Sequence, residues 1–394
     1  MLAKILQNYL KFWAKKYLQR AKPKIVAITG SVGKTSTKEA VFSVISEVYG
    51  KNVNKSYGNL NSESGVPLAI LGFKNSPTKI YEWIPIIFQV PFVSISQKTF
   101  KILILEFAAD KPGDIKYLTS IVRPDIAVVT AIGPSHLAAF GEMHKIIEEK
   151  ISLLWALPKD GWAVLNVDDE NVRKASYGGR WQKMTYAIEQ TADIKASNIV
   201  TSLKDGKVST TFMLDGQIKA NVAQENLGGQ AVVYASLAAA AVGKILEISP
   251  EKIALGLSKI KNEKHRMQVL SGLNGSTIID DSYNANPLSM RNALAVLKNL
   301  KAKRKIAVIG DMREIGEISS QAHIEIGHEA AKIADMVIGV GVEAKKFGAT
   351  KYFKDRSKAI DYLAKEIKDG DLVLVKASRG IGLDKIVDAL KEKK

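Results

Sequence analysis

The sequence predicts an α/β protein of two units: a first unit with a mostly parallel sheet and a small antiparallel patch, and a second α/β unit behind it. Three observations predict it. From Ile25 onward short apolar runs alternate with helix-periodic segments, as in strand–helix–strand crossovers. A glycine-rich turn, Thr29–Thr37, separates the first apolar run from the first of those helices. Between about Val164 and Val222 the pattern changes to short alternating stretches such as Val208–Leu214, the signature of half-buried antiparallel strands.

Taken in order, residues 1–22 read as one amphipathic helix. Leu2, Ile5, Leu6, Tyr9, Trp13 and Tyr17 follow helical spacing, with Lys4, Lys11 and Lys15 on another face. Pro23 stops it, and Lys24–Ile28 is the first strand. Thr35 to Val48 is a helix. Lys101–Leu105 is an apolar strand ending at Glu106, and Ile126–Thr130 is another. An Ala-rich helix, Ala231–Ile245, follows the alternating region. The second unit begins near His265, with buried strands at Thr277–Asp280, Lys305–Ile309, Met336–Val340 and Leu372–Val375, and Gly382–Lys393 closing the chain. The expected division is therefore 1–22, 23–264 and 265–394, with the boundary in the charged stretch Lys261–Lys264.

The segment Trp83–Ile95, inside an insertion at 79–100, is apolar and aromatic. Pro85, Gln89 and Pro91 interrupt it, and it is too short to span a bilayer. With the basic helix 1–22 it suggests peripheral contact with an anionic membrane. The plainer reading of 1–22, that its stripe packs on the following domain, is slightly favoured. Trp83–Ile95 is either a surface-docking or substrate-binding insertion or is buried against the N-terminal helix, and the sequence favours neither.

The chain has 394 residues, 46% of them hydrophobic, ample for two or three domains. It has no cysteine, which excludes disulfides and thiolate metal sites. Charges run through the first twenty residues and no small-residue cleavage site follows, so a cytoplasmic location is expected, with the inner membrane face as its extension. A net charge of +17 suits phosphate-bearing substrates or anionic lipid. No nucleic-acid-binding signature accompanies it, so no nucleic-acid partner is expected.

The strongest local signal is Thr29-Gly30-Ser31-Val32-Gly33-Lys34-Thr35-Ser36-Thr37, between a strand and a helix. Its glycines let consecutive N–H groups turn toward phosphate oxygens, and the helix N-terminus adds its positive end. Lys34 would bridge β- and γ-phosphates and the Thr35 hydroxyl would bind Mg²⁺. The common phosphate loop (P-loop) has glycine at the position of Ile28. The plainer reading, an incidental Gly-Lys-Thr turn, ignores the strand–helix context.

Further stretches accompany the loop. They are Gly58–Asn61 through Gly65–Leu68, Glu106 with Pro112–Ile115, Ile132–Leu137 with Phe140-Gly141, and Lys150. The second unit adds Arg266, Asp280-Asp281-Ser282-Tyr283-Asn284-Ala285-Asn286-Pro287, Gly310–Met312 with Glu314 and Gly316, and Lys376–Arg379. In these residues and their order the sequence resembles the Mur ligase family over nearly its whole length after residue 24. Within the family it looks most like the type that adds D-alanyl-D-alanine to UDP-N-acetylmuramoyl-tripeptide.

The resemblance implies a P-loop ATPase unit followed by a Rossmann-like unit, and an ATP-dependent ligase that makes an amide bond through an acyl phosphate. It implies ATP bound by Gly30, Ser31, Val32, Gly33, Lys34, Thr35 and Ser36, with Arg266, Asp280 and Asn284 reaching it from the second unit. It implies two Mg²⁺ sites, held by Thr35 with Glu106 and by His136 with a carbamylated Lys150. Ser378 and Arg379 would line the site of the incoming amine. Lys34, Glu106, His136, Lys150 and Arg266 are thus the expected catalytic set. Read alone, His136 is a structural histidine, Lys150 a solvated charge, and Asp280 with Asp281 turn chemistry after a strand.

Two departures stand out. The type usually carries an N-terminal domain for the UDP sugar, whereas here the loop starts at residue 30, leaving 1–22 and 79–100 as replacements. The family's His-Asn pair and later Asn before the Ala-rich helix are replaced by Gln230-Ala231 and Ala235. The expected partners are small amine and carboxylate substrates, the latter a UDP-linked or lipid-linked muramoyl peptide. The rival readings are a ligase extending polyglutamate, folate or cyanophycin-like chains, an amidating subunit of a cell-wall complex, and a non-catalytic nucleotide switch. Oligomeric state has no sequence signal.

Overall fold

The structure is a computed structural model that describes residues 2–96, 98–175, 177–204, 207–261 and 263–392; Lys393, where the closing helix was expected to end, lies outside them. Among the described residues the strands form a nine-stranded and a six-stranded sheet.

The first sheet contains β1 (Lys24–Thr29), β2 (Val53–Lys55), β3 (Ile102–Glu106), β4 (Ile126–Val129), β5 (Trp162–Asn166), β6 (Gln182–Ala187), β7 (Ile194–Lys204), β8 (Lys207–Gly216) and β9 (Ala220–Glu225). Their spatial order is β2-β3-β1-β4-β5-β6-β7-β8-β9. Pairing is parallel from β2 through β7, and only β7-β8 and β8-β9 are antiparallel. The antiparallel patch therefore starts at Ile194, not near Val164. Val164 pairs parallel with Val128, and its neighbours Ala163 and Leu165 are fully buried on the opposite face. Such a strand, covered on both sides, belongs to the parallel core.

Alternation along the strands divides the core into two layers. Val26, Ile28, Ile104 and Val128 face the helices Lys34–Tyr49 and Gln230–Ile245. Ile25, Ala27, Leu105 and Val129 face the N-terminal helix Leu2–Ala21 and the helix Met143–Trp155.

The N-terminal helix lies on this second layer, with Leu10, Ala14 and Tyr17 fully buried and Ile5 exposed. The apolar stripe expected from spacing is thus turned by about one position, so that Ile5 falls outside it. Beside it runs the helix Trp83–Ser96, which contains Pro91. Proline has no N–H and leaves the carbonyl four residues earlier, Ile87, without its helical donor. The Tyr9 hydroxyl donates to that carbonyl at 2.7 Å. The Ser94 hydroxyl donates to the Trp13 carbonyl, and the Phe100 amide to the Tyr17 oxygen. Contacts thus climb together along the two helices, which run in the same direction. No helix among the described residues is long and apolar enough to cross a membrane.

The second sheet contains β10 (Gln268–Ser271), β11 (Thr277–Asp280), β12 (Arg304–Gly310), β13 (Met336–Val340), β14 (Lys351–Phe353) and β15 (Asp371–Lys376), in the order β10-β11-β15-β12-β13-β14. All pairs are parallel except β10-β11. The edge strands β10 and β14 escaped the sequence reading. They are three or four residues long and partly exposed, so neither periodicity nor a buried run marks them.

Candidate active site

The carboxyl ends of β1, β3 and β4 meet the second sheet in a crevice, the position where open α/β sheets bind ligands. Its floor begins at the loop after β1. Gly30 has φ +148°, and a Cβ there would lie 2.0 Å from Thr130 Oγ1, so only glycine fits. Gly33, at φ +84°, turns the chain into the helix Lys34–Tyr49. No described side chain caps that helix, leaving its first-turn N–H groups free to bind an anion. The Thr130 hydroxyl donates to the Val32 carbonyl at 2.6 Å, and the Ser31 amide to the Ala131 carbonyl at 2.7 Å, which pin the loop. Lys34 Nζ folds back onto the Gly30 carbonyl at 2.7 Å.

Glu106, the last residue of β3, is buried. Its Oε2 accepts from Thr35 Oγ1 at 3.1 Å and its Oε1 from Asn61 Nδ2 at 2.9 Å. Burial opposes its ionisation, but the ammonium groups of Lys38 and Lys34 and the Asn61 amide outweigh that and hold its carboxyl below the ordinary value. Lys38 is itself fully buried, 3.6 Å from Glu106 and 3.1 Å from Glu263. Burial would strip its proton, yet those carboxylates with Glu39 raise its affinity for it. Thr35 and Glu106 are hard oxygen donors beside a phosphate cradle, and they fit Mg²⁺.

His136 sits at φ +53°, opening a short helix. Its Nε2 lies 3.3 Å from Asp110 Oδ1 and its Nδ1 2.8 Å from Glu314 Oε2, the latter from the second unit. Lys150 is buried rather than solvated, and its Nζ donates to the Ala109 carbonyl at 3.1 Å. Burial first, and the nearby Lys34 second, lower its pKa to about 7. Among the described residues no three His, Asp or Glu side chains gather as a metal cluster.

The opposite wall comes from the second unit. Arg266 stacks its guanidinium on the Tyr283 ring, 3.9 Å from the centroid, and reaches Thr35 Oγ1 at 3.5 Å. Its Nε is buried with no hydrogen-bond partner among the described residues. The pairing fits an anion resting between Arg266 and the loop. Lys34, Thr35, Glu106, His136, Lys150, Arg266, Asn284 and Arg379 all line one cavity of about 360 Å³. A contiguous cleft of about 130 Å³ is lined by Ser31, Val32, Gly33, Ser36 and Asn284. The third cleft, about 230 Å³, holds Tyr234, whose hydroxyl donates to Asp168 Oδ2 at 2.8 Å, and Gln230, Ala231 and Ala235 line it too. The departure before the Ala-rich helix therefore falls on a cleft beside the phosphate loop.

Two expected contacts lie elsewhere. Asp280, 1% exposed, turns inward and accepts from His265 Nδ1 at 2.8 Å and from the Ser282 hydroxyl at 2.6 Å; its neighbour Asp281 borders the cleft instead. Ser378 is buried, accepting from the Arg313 amide and donating to the Ala285 carbonyl. Only Arg379 of that pair lines the cavity, close to the Tyr283 hydroxyl. Sequence reasoning gave no role to Lys38, Asp110 or Glu263, nor to Asn61, which it noted only within the stretch Gly58–Asn61. Lys38 was findable, one helical turn after Lys34 and therefore on the same face. Glu263 was not, because it meets Lys38 only through the tertiary fold.

Two family models match the chain: the Mur ligase middle domain over residues 28–243 and the Mur ligase glutamate ligase domain over 265–379. The UDP-N-acetylmuramoyl-tripeptide–D-alanyl-D-alanine ligase of Bacillus subtilis is 31% identical over 96% of this chain and 78% of its own length. The enzyme of that name from Escherichia coli is 30% identical over 95% and 78%. Among solved structures, MurF from Acinetobacter baumannii superposes with a TM-score of 0.82 at 28% identity, covering 98% of this chain and 80% of that one. MurF from Thermotoga maritima in complex with ADP gives 0.82 at 26%, covering 97% and 83%. With both domain models matched in order around one phosphate-binding crevice, the chain belongs to the Mur ligase family of ATP-dependent, amide-bond-forming ligases.

Proposed function

We propose that this ligase joins the terminal carboxylate of a UDP-muramoyl tripeptide to the amine of D-alanyl-D-alanine, converting ATP to ADP and phosphate. The names of its relatives supply the substrates. The observation that weighs most is the shared cavity, in which Lys34, Thr35, Glu106, His136, Lys150 and Arg266 converge between the two sheets.

A carboxylate oxygen attacks the γ-phosphorus and ADP leaves, giving an acyl phosphate. The amine nitrogen then attacks the acyl carbon, phosphate leaves, and the nitrogen gives up a proton. The loop amides and Lys34 would hold the phosphates, and Arg266, braced on Tyr283, would oppose charge growing on the γ-phosphoryl oxygens. Mg²⁺ bound by Thr35 and Glu106 would neutralise part of the same charge. Closure of the two units over the cavity would exclude water, which would hydrolyse the acyl phosphate. Arg379 at the rim suits the carboxylate of the incoming dipeptide.

Lys150 is proposed to carry a carbamate that, with His136, holds a second Mg²⁺. No relative's name brings this group to the chain. It rests on the buried, easily neutralised amine, since carbamylation by carbon dioxide needs a free base. Carbon-13 NMR in labelled bicarbonate would reveal a carbamate signal that disappears in Lys150→Arg; its absence refutes the carbamate while leaving the ligase reading untouched. The chain is proposed to divide at about residue 264, and to work in the cytoplasm at the inner membrane face.

ADP release tests the reaction. It should require UDP-muramoyl-tripeptide and D-alanyl-D-alanine together. Equal ADP release without the dipeptide would refute the proposed amide synthesis.

A further inference from the structure

The helices Leu2–Ala21 and Trp83–Ser96 bury their inner sides in one core layer, which includes Leu10, Ala14, Tyr17 and Val90. Their outer sides are a different surface. Ile84, Phe88, Phe92 and Ile95 recur at helical spacing along the second helix and are 58%, 71%, 74% and 64% exposed. Ile80 and Tyr81, just before it, are exposed as well, and so are Ile5 and Phe12, seven residues apart on the first helix. Eight of the fifteen large exposed hydrophobic side chains among the described residues therefore lie on these two segments. A patch of this kind on a folded protein marks a contact site.

The charges select the partner. Residues 2–22 carry Lys4, Lys11, Lys15, Lys16, Arg20 and Lys22 and no Asp or Glu, while residues 83–96 carry no charge at all. Lys4, Lys15, Lys16 and Arg20 are exposed, and Lys16 Nζ rests 5.7 Å from the Phe12 ring centroid. An apolar stripe bordered by these cations, with the one acid at its start, Glu82, turned back onto the Thr78 and Lys79 amides, matches an interface with hydrocarbon beneath and anionic headgroups beside it. A second copy of this cationic face would set lysine against lysine.

We propose that these two helices form a docking surface for an anionic phospholipid bilayer, with Phe88 and Phe92 entering the acyl boundary and the lysines meeting lipid phosphates. The proposal deepens the membrane-face location given above and rests on it, but not on the identity of the ligase substrates. Tyr9 and Ser94 fix the two helices to each other, and Tyr17 holds the segment that follows the second at Phe100, so the surface is braced before it meets lipid.

The test is sedimentation of the full chain with vesicles of phosphatidylglycerol and phosphatidylcholine, against vesicles of phosphatidylcholine alone. Binding should favour the anionic vesicles by roughly tenfold or more and weaken with salt. The double variants Phe88→Ser/Phe92→Ser and Lys15→Gln/Lys16→Gln should each lower it roughly tenfold, while the melting temperature stays unchanged. Failure to bind anionic vesicles, or equal binding to both kinds, overturns the proposal. So does a stable dimer that Phe88→Ser/Phe92→Ser disperses, because the face would then belong to a second copy. If vesicles bind but ADP is never released, the substrate assignment fails and the docking surface stands.

Discussion

The floor and the wall of the crevice are built by different sheets, and they answered sequence reasoning differently. On the floor the anticipated side chains Lys34, Thr35, Glu106, His136 and Lys150 line the common cavity. On the wall Arg266, Asn284 and Arg379 do so, but Asp280 and Ser378 are buried behind it, and their chain neighbours Asp281 and Arg379 face the crevice. A motif locates a strand end to within a residue or two. Which of two adjacent side chains faces the ligand depends on the strand's alternation, and one step reverses it. On the floor the glycine loop and helix N-terminus fix that phase; on the wall nothing in the sequence does.

Breaking the floor should have the largest consequence. Lys34→Ala is expected to lower ADP release about a thousandfold, the scale of losing a group that stabilises transition-state charge. The melting temperature should change little, since among the described residues Lys34 Nζ donates only to the Gly30 and Ser31 carbonyls and Lys38 still faces Glu106. A variant with near-normal turnover would remove the loop from the reaction.

Lys38 sharpens the contrast within the floor itself. Lys38→Met leaves Glu106 and Glu263 without their shared cation, and urea unfolding should show a loss of about 3 kcal/mol. A loss confined to activity, with unchanged stability, would mean that this cation acts on substrate rather than on the fold.

The wall should respond more mildly. Arg379→Ala is expected to raise the KM for the amine substrate roughly tenfold, the scale of one charged hydrogen bond, with stability preserved. Ser378→Ala and Asp280→Asn should do the reverse. Each would cost about 1 kcal/mol of stability through lost internal hydrogen bonds, with KM for ATP and for the amine unchanged. A rise in KM for ATP in Asp280→Asn would return that carboxylate to the nucleotide.

Much of the fold was legible because its strands are buried on both faces and its helices are periodic. The first helix was read correctly in extent, yet its stripe was misplaced at Ile5 because a six-position list of apolar residues does not say where the core lies. Pro91 was read as an interruption of an apolar run. In the structure the helix continues through it, because Tyr9, nearly eighty residues away, supplies the donor that proline removed. Lys150 shows the same limit: directly after Glu148 and Glu149 it looks solvated, and only the packing of the helix Met143–Trp155 buries it. Features set by distant segments were invisible, whereas features set by local backbone geometry were not.

The central claim is that a substrate carboxylate attacks ATP within this crevice. Turnover with a carboxylate labelled with oxygen-18 tests it most directly, read by mass spectrometry of the released phosphate. The account predicts one labelled oxygen in each phosphate formed. Unlabelled phosphate, released at the same rate, would contradict it.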